Sequence, residues 1–213
     1  MKTLSILIAD DHPVVRRGLR ALLETESGWK VVAEAANGRE AVAKAAQLHP
    51  DLVLLDLSMP SLNGLDACCL IAQSSPQTRV LIITMHRAPE LVAQMLKAGA
   101  RGYVLKSDAE RDLIAAVEAL AHDRTFFTAV ASDVCLGRLR GDNRFELDSP
   151  LSLREREITQ LVAEGKSNKE VATILGISTR TAENHRARVM DKLGFHSLAD
   201  LVRYAIRNKM VEA

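Results

Sequence analysis

The sequence predicts an α/β domain built on a doubly wound parallel sheet, followed by a small all-α domain of four helices. Apolar runs of strand length alternate with helical patterns over residues 1–122. Beyond Pro150 the pattern becomes wholly helical, with Ser at the expected helix starts and Gly at the expected ends. Alternation of strands and helices is typical of a parallel sheet covered by helices on both faces. At 213 residues, the chain has the length of two ordinary domains.

Five strands are expected in the first domain, and several are unbroken apolar runs of the kind found in parallel strands that are covered on both faces. They fall near residues 4–9, 31–35, 52–56, 79–84 and 102–105. Helical spacing of apolar residues predicts helices near 13–25, 38–47, 64–73, 89–98 and 108–121. Five such units favour the flavodoxin-like strand order 2-1-3-4-5, and right-handed crossovers then place the ends of the first and third strands side by side.

The sequence changes character between the two domains. Residues 129–150 contain Gly, Asp, Asn and Pro without sustained periodicity, and a short helix near 130–139 is the most that the pattern favours. We therefore divide the chain into a first domain at 1–122, a linker at 123–149 and a second domain at 150–213.

Helix boundaries in the second domain are marked by capping residues. Pairs of a Ser with an acidic residue three positions later predict capping boxes at Ser152/Glu155, Ser167/Glu170 and Ser197/Asp200. Ser178 is expected to begin one further helix. A Gly in the left-handed conformation commonly ends a helix, and the expected ends are Gly165, Gly176 and Gly194.

Composition excludes several classes of protein. Nothing approaches the run of about 18 apolar residues that spans a bilayer, and the first residues lack a signal-peptide cleavage site, so we expect a cytoplasmic protein. The three cysteines and six histidines show no metal-ligand spacing, which argues against a zinc site. In residues 151–213, Lys and Arg outnumber Asp and Glu by 11 to 8, a balance that suits contact with phosphates.

Polar side chains follow four of the five predicted strands. They are Asp10 and Asp11, Asp56, Thr84 and Lys106. Because open α/β sheets bind ligands at the carboxyl ends of their strands, these residues are expected to converge. Clustered carboxylates predict a Mg²⁺ site. A strand-end Asp can act as a nucleophile that accepts a phosphoryl group, with Lys and Thr available to its oxygens.

The segments "ADDHP", "LLDLSMPSLNGLD", "LIITMH" and "GYVLKS" resemble the receiver domain of bacterial two-component response regulators. The resemblance implies that Asp56 is the phosphoacceptor, supplied by a histidine kinase. It also implies Mg²⁺ ligands from Asp10, Asp11, Asp56 and the Ser58 carbonyl, and contacts from Thr84 and Lys106 to the phosphoryl group. Tyr103 matches the aromatic switch residue that turns inward when the Thr moves toward phosphate.

The second domain contains a predicted helix-turn-helix whose reading helix spans 179–193. At about 100° per residue, Ala182, Val189 and Leu193 share an inward face. Asn, Arg, Glu and Ala are suited to base edges in a major groove, and flanking Lys and Arg to phosphates. The predicted base-reading residues are Arg180, Glu183, Asn184, Ala187 and Arg188, and the predicted phosphate contacts are Lys169, Arg186 and Lys192.

The segments "REREITQLVAEGKSNKEVATILGIS" and "TAENHR" are similar to the DNA-binding domain of the NarL/FixJ (LuxR-type) regulators. The two resemblances together imply a transcription regulator controlled by phosphorylation of Asp56. They further imply double-stranded DNA as a partner and a homodimer after phosphorylation. No enzymatic turnover is expected beyond phosphotransfer to the protein itself and loss of that phosphate.

Two other classes of protein remain as alternatives at this point. An aspartyl-phosphate hydrolase would use the acidic edge but would leave the helix-turn-helix without a role. A flavodoxin-like binding module fits the strand order, but its anionic cofactor would be repelled by the acidic edge.

Overall fold

The computed structural model describes residues 3–85, 89–127 and 149–211. The predicted short helix near 130–139 and most of the predicted linker lie outside the described residues.

A five-stranded sheet forms the centre of the first domain, with strand order 2-1-3-4-5 and every neighbouring pair parallel, as predicted. The strands are β1 (Leu4–Ala9), β2 (Trp29–Ala35), β3 (Leu52–Asp56), β4 (Arg79–Thr84) and β5 (Gly102–Leu105). The whole of β3 is buried, which explains why its sequence is an unbroken apolar run ending in one acid.

Helices cover both faces of the sheet. They are α1 (Pro13–Leu23), α2 (Gly38–Leu48), α3 (Gly64–Ser74), α4 (Pro89–Lys97) and α5 (Ala109–Ala121). Apolar residues of α1 and α5 pack on one face of the sheet, and those of α2, α3 and α4 pack on the other. Two aliphatic layers therefore enclose the strands, which is the doubly wound arrangement.

The structure corrects two predicted boundaries. β2 begins at Trp29 rather than at residue 31, because Trp29 and Lys30 pair with the first residues of β1. Lys30 is polar and separates Trp29 from the apolar run that begins at Val31, so only the pairing reveals this end of the strand. α1 ends at Leu23 rather than at residue 25, and the amide of Glu24 bonds back to Arg20 and Leu22.

The second domain consists, in the described residues, of α6 (Leu153–Ala163), α7 (Asn168–Leu175), α8 (Thr179–Leu193) and α9 (Leu198–Arg207). All three predicted capping boxes are present. Gly176 and Gly194 adopt the left-handed conformation, each with φ of 63°, at the ends of α7 and α8. A separate apolar core joins the four helices. Among the described helices, none has the length and apolar character to cross a membrane.

Candidate functional site

The carboxyl edge of the sheet brings together two buried acids and one cation. Asp10 follows β1 with none of its surface exposed, and Asp56 ends β3 with 2% exposed. Lys106 follows β5, and its Nζ lies 2.8 Å from Asp10 Oδ2 and 2.9 Å from Asp56 Oδ2. The predicted convergence of three strand ends is thus realised in the geometry.

Burial and charge oppose each other at this edge. Burial raises the pKa of Asp56 to about 6, and the adjacent Asp10 and Asp11 push it in the same direction, while Lys106 partly offsets them. Burial also acts to lower the pKa of Lys106, but its bonds to Asp10 and Asp56 outweigh burial and hold that pKa above the usual value. Lys106 therefore remains a cation that can neutralise negative charge next to Asp56.

The acidic cluster has the donor set that a hard divalent cation requires. Ligand atoms of Asp10, Asp11, His12 and Asp56 lie within 4.8 Å of one another. Asp10 Oδ2 and Asp11 Oδ1 are buried, and among the described residues each meets only an ion-pair partner without hydrogen-bond geometry. Buried carboxylate oxygens in this state favour a bound cation, because a buried acceptor without a hydrogen bond is costly.

The loop between β3 and α3, residues 57–63, is held tightly against Asp56 and is called here the acceptor loop. A Cβ added at Gly64 would lie 2.0 Å from the Asp56 carbonyl oxygen, so only glycine permits this close approach. Gly64 N–H also donates to the Leu57 carbonyl across 2.8 Å. These contacts close the acceptor loop, which contains Ser58, whose carbonyl is predicted to be a metal ligand.

Thr84 and Tyr103 both lie on the buried part of the sheet. Thr84 ends β4 and is 1% exposed, and Tyr103 on β5 is 4% exposed. The Tyr103 N–H donates to the Phe126 carbonyl, which extends the sheet beyond β5. Tyr103 therefore already lies inward, and its predicted change of position on phosphorylation stays a prediction.

Sequence reasoning missed residues that position the acids. The His12 N–H donates to Asp10 Oδ1 across 2.8 Å, and its Nδ1 lies 2.7 Å from Asp11 Oδ1. Arg16 donates to the Asp10 carbonyl across 2.7 Å and pairs with Glu34. His12 directly follows the two acids in sequence, which is a usable signal. The Arg16 contact depends on how α1 packs against β2.

The predicted reading helix, α8, has the two faces expected from its sequence. Ala182 and Val189 are buried, Leu193 packs against the same core, and the predicted base-reading side chains are exposed: Arg180, Glu183, Asn184, Ala187 and Arg188. An exposed polar face over an apolar one is what a major-groove reader requires.

The predicted phosphate contacts differ in their surroundings. Lys169 is exposed. Arg186 donates to Asn168 Oδ1 across 3.4 Å. Lys192 Nζ pairs with the buried Glu155 across 2.8 Å, which ties α8 to the first turn of α6. Lys192 thus has a structural partner that the sequence pattern did not indicate.

Two family models match the chain. Residues 6–118 match the response regulator receiver domain, and residues 149–205 match the bacterial regulatory proteins of the luxR family.

Curated relatives match over nearly their full length. The chain is 39% identical over 217 residues to the oxygen regulatory protein NreC of Staphylococcus epidermidis, covering 98% of this chain and all of that protein. It is 37% identical over 206 residues to the transcriptional regulatory protein MctR of Rhizobium johnstonii, covering 97% and 94% respectively.

A solved structure of a response regulator matches this chain across both domains. RcsB from Salmonella enterica serovar Typhimurium, bound to a promoter in the presence of a phosphomimetic, superposes with a TM-score of 0.61 at 29% identity, covering 95% of this chain and 98% of that one. These relationships support a transcription regulator and neither of the two alternatives. The chain belongs to the NarL/FixJ family of two-component response regulators, which join a receiver domain to a LuxR-type DNA-binding domain.

Proposed function

We propose that Asp56 is the phosphoacceptor of this response regulator and that a histidine kinase is its donor. The observation that carries the proposal is the pairing of Asp56 and Asp10 with Lys106 Nζ at 2.9 and 2.8 Å. Asp56 Oδ attacks the phosphorus of the donor, and the bond to the leaving group breaks. The Lys106 ammonium then pairs with one phosphoryl oxygen, and the Thr84 hydroxyl donates a hydrogen bond to another.

Mg²⁺ fits the acidic cluster, with Asp10, Asp11 and Asp56 and the Ser58 carbonyl as the proposed ligands. The bound ion supplies charge neutralisation for the phosphoryl group. The buried Asp10 Oδ2 and Asp11 Oδ1, each with an ion-pair partner but no hydrogen bond, support this assignment. His12 is less suited than the carboxylates, because Mg²⁺ prefers oxygen ligands.

A labelling experiment tests the acceptor. The protein is incubated with radiolabelled acetyl phosphate and Mg²⁺, and incorporation is measured for the wild type and for Asp56→Asn. We expect labelling to be lost in Asp56→Asn and retained in the control Asp123→Asn, an exposed acid paired with Arg79 away from this site. Undiminished labelling of Asp56→Asn would show that another residue accepts the phosphoryl group.

The output is proposed to pass from the receiver domain, residues 1–122, through a linker at 123–149 to the DNA-binding domain at 150–213. The change at Asp56 is relayed by Thr84 and Tyr103 and promotes a homodimer. Two copies of α8 then contact half-sites about one DNA turn apart. The proposed base contacts are Arg180, Glu183, Asn184, Ala187 and Arg188, and the proposed phosphate contacts are Lys169, Arg186 and Lys192.

DNA selection tests this output. Random duplexes are selected by the full-length protein with and without acetyl phosphate. Enrichment of a two-fold symmetric site that strengthens with the phosphodonor supports the proposal. Identical enrichment under both conditions would separate DNA binding from phosphorylation and contradict it.

A further inference from the structure

Helix α6 of the DNA-binding domain forms hydrogen bonds with the acceptor loop of the receiver domain. Gln160 is completely buried. Its Nε2 donates to the Met59 carbonyl across 2.9 Å, and its Oε1 accepts from the Asn63 N–H across 2.8 Å. One side chain thus satisfies a backbone acceptor and a backbone donor of the loop that directly follows Asp56.

A second contact holds the most strained residue of this loop. Ser61 has φ of 67°, a conformation that non-glycine residues seldom adopt. Its N–H donates to Glu164 Oε1 across 2.9 Å, and the same oxygen accepts from Gln160 Nε2 across 2.8 Å. Backbone strain next to a reactive group persists only when its surroundings hold it, and here part of the support comes from the other domain.

Ion pairs flank these hydrogen bonds. Arg156 Nε lies 2.6 Å from Asp66 Oδ1, and both side chains are largely buried. Arg39 lies 3.6 Å from Glu157. Among the described residues, charged and hydrogen-bonded contacts join the two domains, whose apolar cores are separate. Contacts of this kind form and break more readily than a packed core.

The docked domain also borders the approach to the metal ligands. A cavity of about 260 Å³ lies between the domains. Its receiver wall includes Asp11 and Ser58, and its other wall is formed by Glu164 and residues 209–211 near the end of the chain. Sites for drug-sized ligands begin at about 300 Å³, so this space admits a small molecule and excludes a folded domain.

Docking leaves the DNA-reading face uncovered. All five proposed base-reading residues on α8 are exposed. The contact between the domains therefore lies next to the phosphorylation site and leaves the DNA-reading face of α8 accessible.

We propose that the docked DNA-binding domain selects the phosphodonor: small phosphoryl donors enter the acceptor site by way of the cavity beside Asp11 and Ser58, whereas a phosphohistidine carried on a protein requires the domains to separate first. The inference depends on Asp56 being the acceptor. With phosphohistidine, or with phosphoramidate as the small donor, Asp56 Oδ forms the O–P bond and the donor's N–P bond breaks. The leaving nitrogen keeps the electron pair and takes up a proton. The chemistry is shared, and only the size of the donor differs.

The test compares two donors that share an N–P bond. Phosphoramidate is the small donor. The protein donor is the soluble core of a histidine kinase that has phosphorylated itself. The kinase is selected by screening for one that transfers label to the wild type or to a docking variant. The proteins are full-length wild type, Gln160→Ala and Arg156→Glu, with Arg203→Glu as a control on the exposed side of α9. Domain separation is verified by an increase in the radius of gyration in small-angle X-ray scattering.

The rate of labelling by the protein donor should be proportional to the fraction of molecules in which the domains are separated. If the docked state of the wild type is favoured about tenfold, the docking variants should be labelled about tenfold faster. Labelling by phosphoramidate should change by less than about twofold, since that donor needs no separation. The double variant Asp66→Arg/Arg156→Glu, which restores the ion pair with reversed charges, should return toward the wild-type rate.

Three results separate the possible failures. Equal acceleration with both donors would mean that docking alters the acceptor itself, and the proposal is then wrong. Unchanged labelling by the protein donor in variants with proven separation also overturns it. Absence of Asp56 labelling from both donors in all proteins would instead contradict the proposed acceptor.

Discussion

Arg156 of the DNA-binding domain and Asp66 of the receiver domain form a 2.6 Å ion pair in which 11% and 2% of the two side chains are exposed. Asp66 lies in the first turn of α3, where its carboxylate accepts from Asn63 Nδ2 and its N–H donates to Asn63 Oδ1. The acid therefore serves the start of a receiver helix and the contact between domains at once.

Breaking this pair should separate the domains. Arg156→Glu places two acids together in a largely buried position, and loss of one partner of a buried pair costs about 3–5 kcal/mol. Small-angle scattering should show a more extended particle, and Asp66→Arg/Arg156→Glu should restore the compact one. If the double variant is as extended as the single one, the pair does not hold the domains together.

Removing Lys106 should make receiver stability depend strongly on Mg²⁺. Lys106→Met leaves Asp10 and Asp56 buried without their cation, at a cost of about 3 kcal/mol or more. Trp29, the single tryptophan, lies on β2 and reports receiver unfolding in urea by fluorescence. Saturating Mg²⁺ should stabilise this variant more than the wild type. The exposed Lys30→Met serves as the control, and an equal gain from Mg²⁺ in Lys106→Met and wild type would argue against a shared acidic site.

Two glycine-to-alanine changes should have opposite effects. Gly64→Ala places a Cβ 2.0 Å from the Asp56 carbonyl oxygen, which forces the acceptor loop to move. It should lower receiver stability by about 1–3 kcal/mol, as overpacking does, and slow labelling by acetyl phosphate. Gly18→Ala within α1 meets nothing within 4 Å and should raise stability by about 0.5–1 kcal/mol. Equal labelling rates in the two variants would show that loop position is unimportant for phosphotransfer.

Glu155 should make the DNA-binding domain sensitive to acid. The bond from Lys192 opposes the effect of burial and, with bonds from Ser152, holds the pKa of Glu155 at about 2, well below its ordinary value of 4.5. A lowered folded-state pKa contributes stability that is present above the unfolded value and is lost as the pH falls from about 4.5 toward 2.

Calorimetry of the full-length protein tests this. At neutral pH, Glu155→Gln should lower the stability of the C-terminal transition by about 1–3 kcal/mol. The difference from wild type should shrink below pH 4.5. The exposed Glu183→Gln should change stability by less than about 0.5 kcal/mol. A difference between wild type and Glu155→Gln that is independent of pH would assign the loss to packing instead of charge.

Substitutions at base contacts and at phosphate contacts should have different effects on DNA binding. Asn184→Ala should reduce the discrimination between the preferred base and the others at one position of the site by about 1–3 kcal/mol. Lys169→Ala should weaken binding to all sequences equally, and it should reduce the slope of log K against log salt concentration by about one. Binding to selected and to random duplexes over a range of salt measures both. A uniform loss for Asn184→Ala would place that residue on the backbone and not on a base.

Much of the fold could be predicted because its signals are local. Four strands were expected with the ends that the structure shows, and β2 was missed at its start because Lys30 carries no apolar signal. The capping boxes were predictable because a Ser and an acid three residues apart meet within a single turn. Acidic residues at successive strand ends indicated a shared site, since parallel strands end at one edge.

The sequence alone determined the two folds, the order of the strands and the acids, lysine and threonine that follow them, because periodicity and capping act over a few residues. Tertiary structure decided which distant groups meet: Arg16 with the Asp10 carbonyl, Lys192 with Glu155, and Gln160 with the acceptor loop. Such pairs join residues of ordinary polar type whose positions depend on how whole helices pack. Nothing in the local spacing distinguishes them from polar residues in contact with solvent.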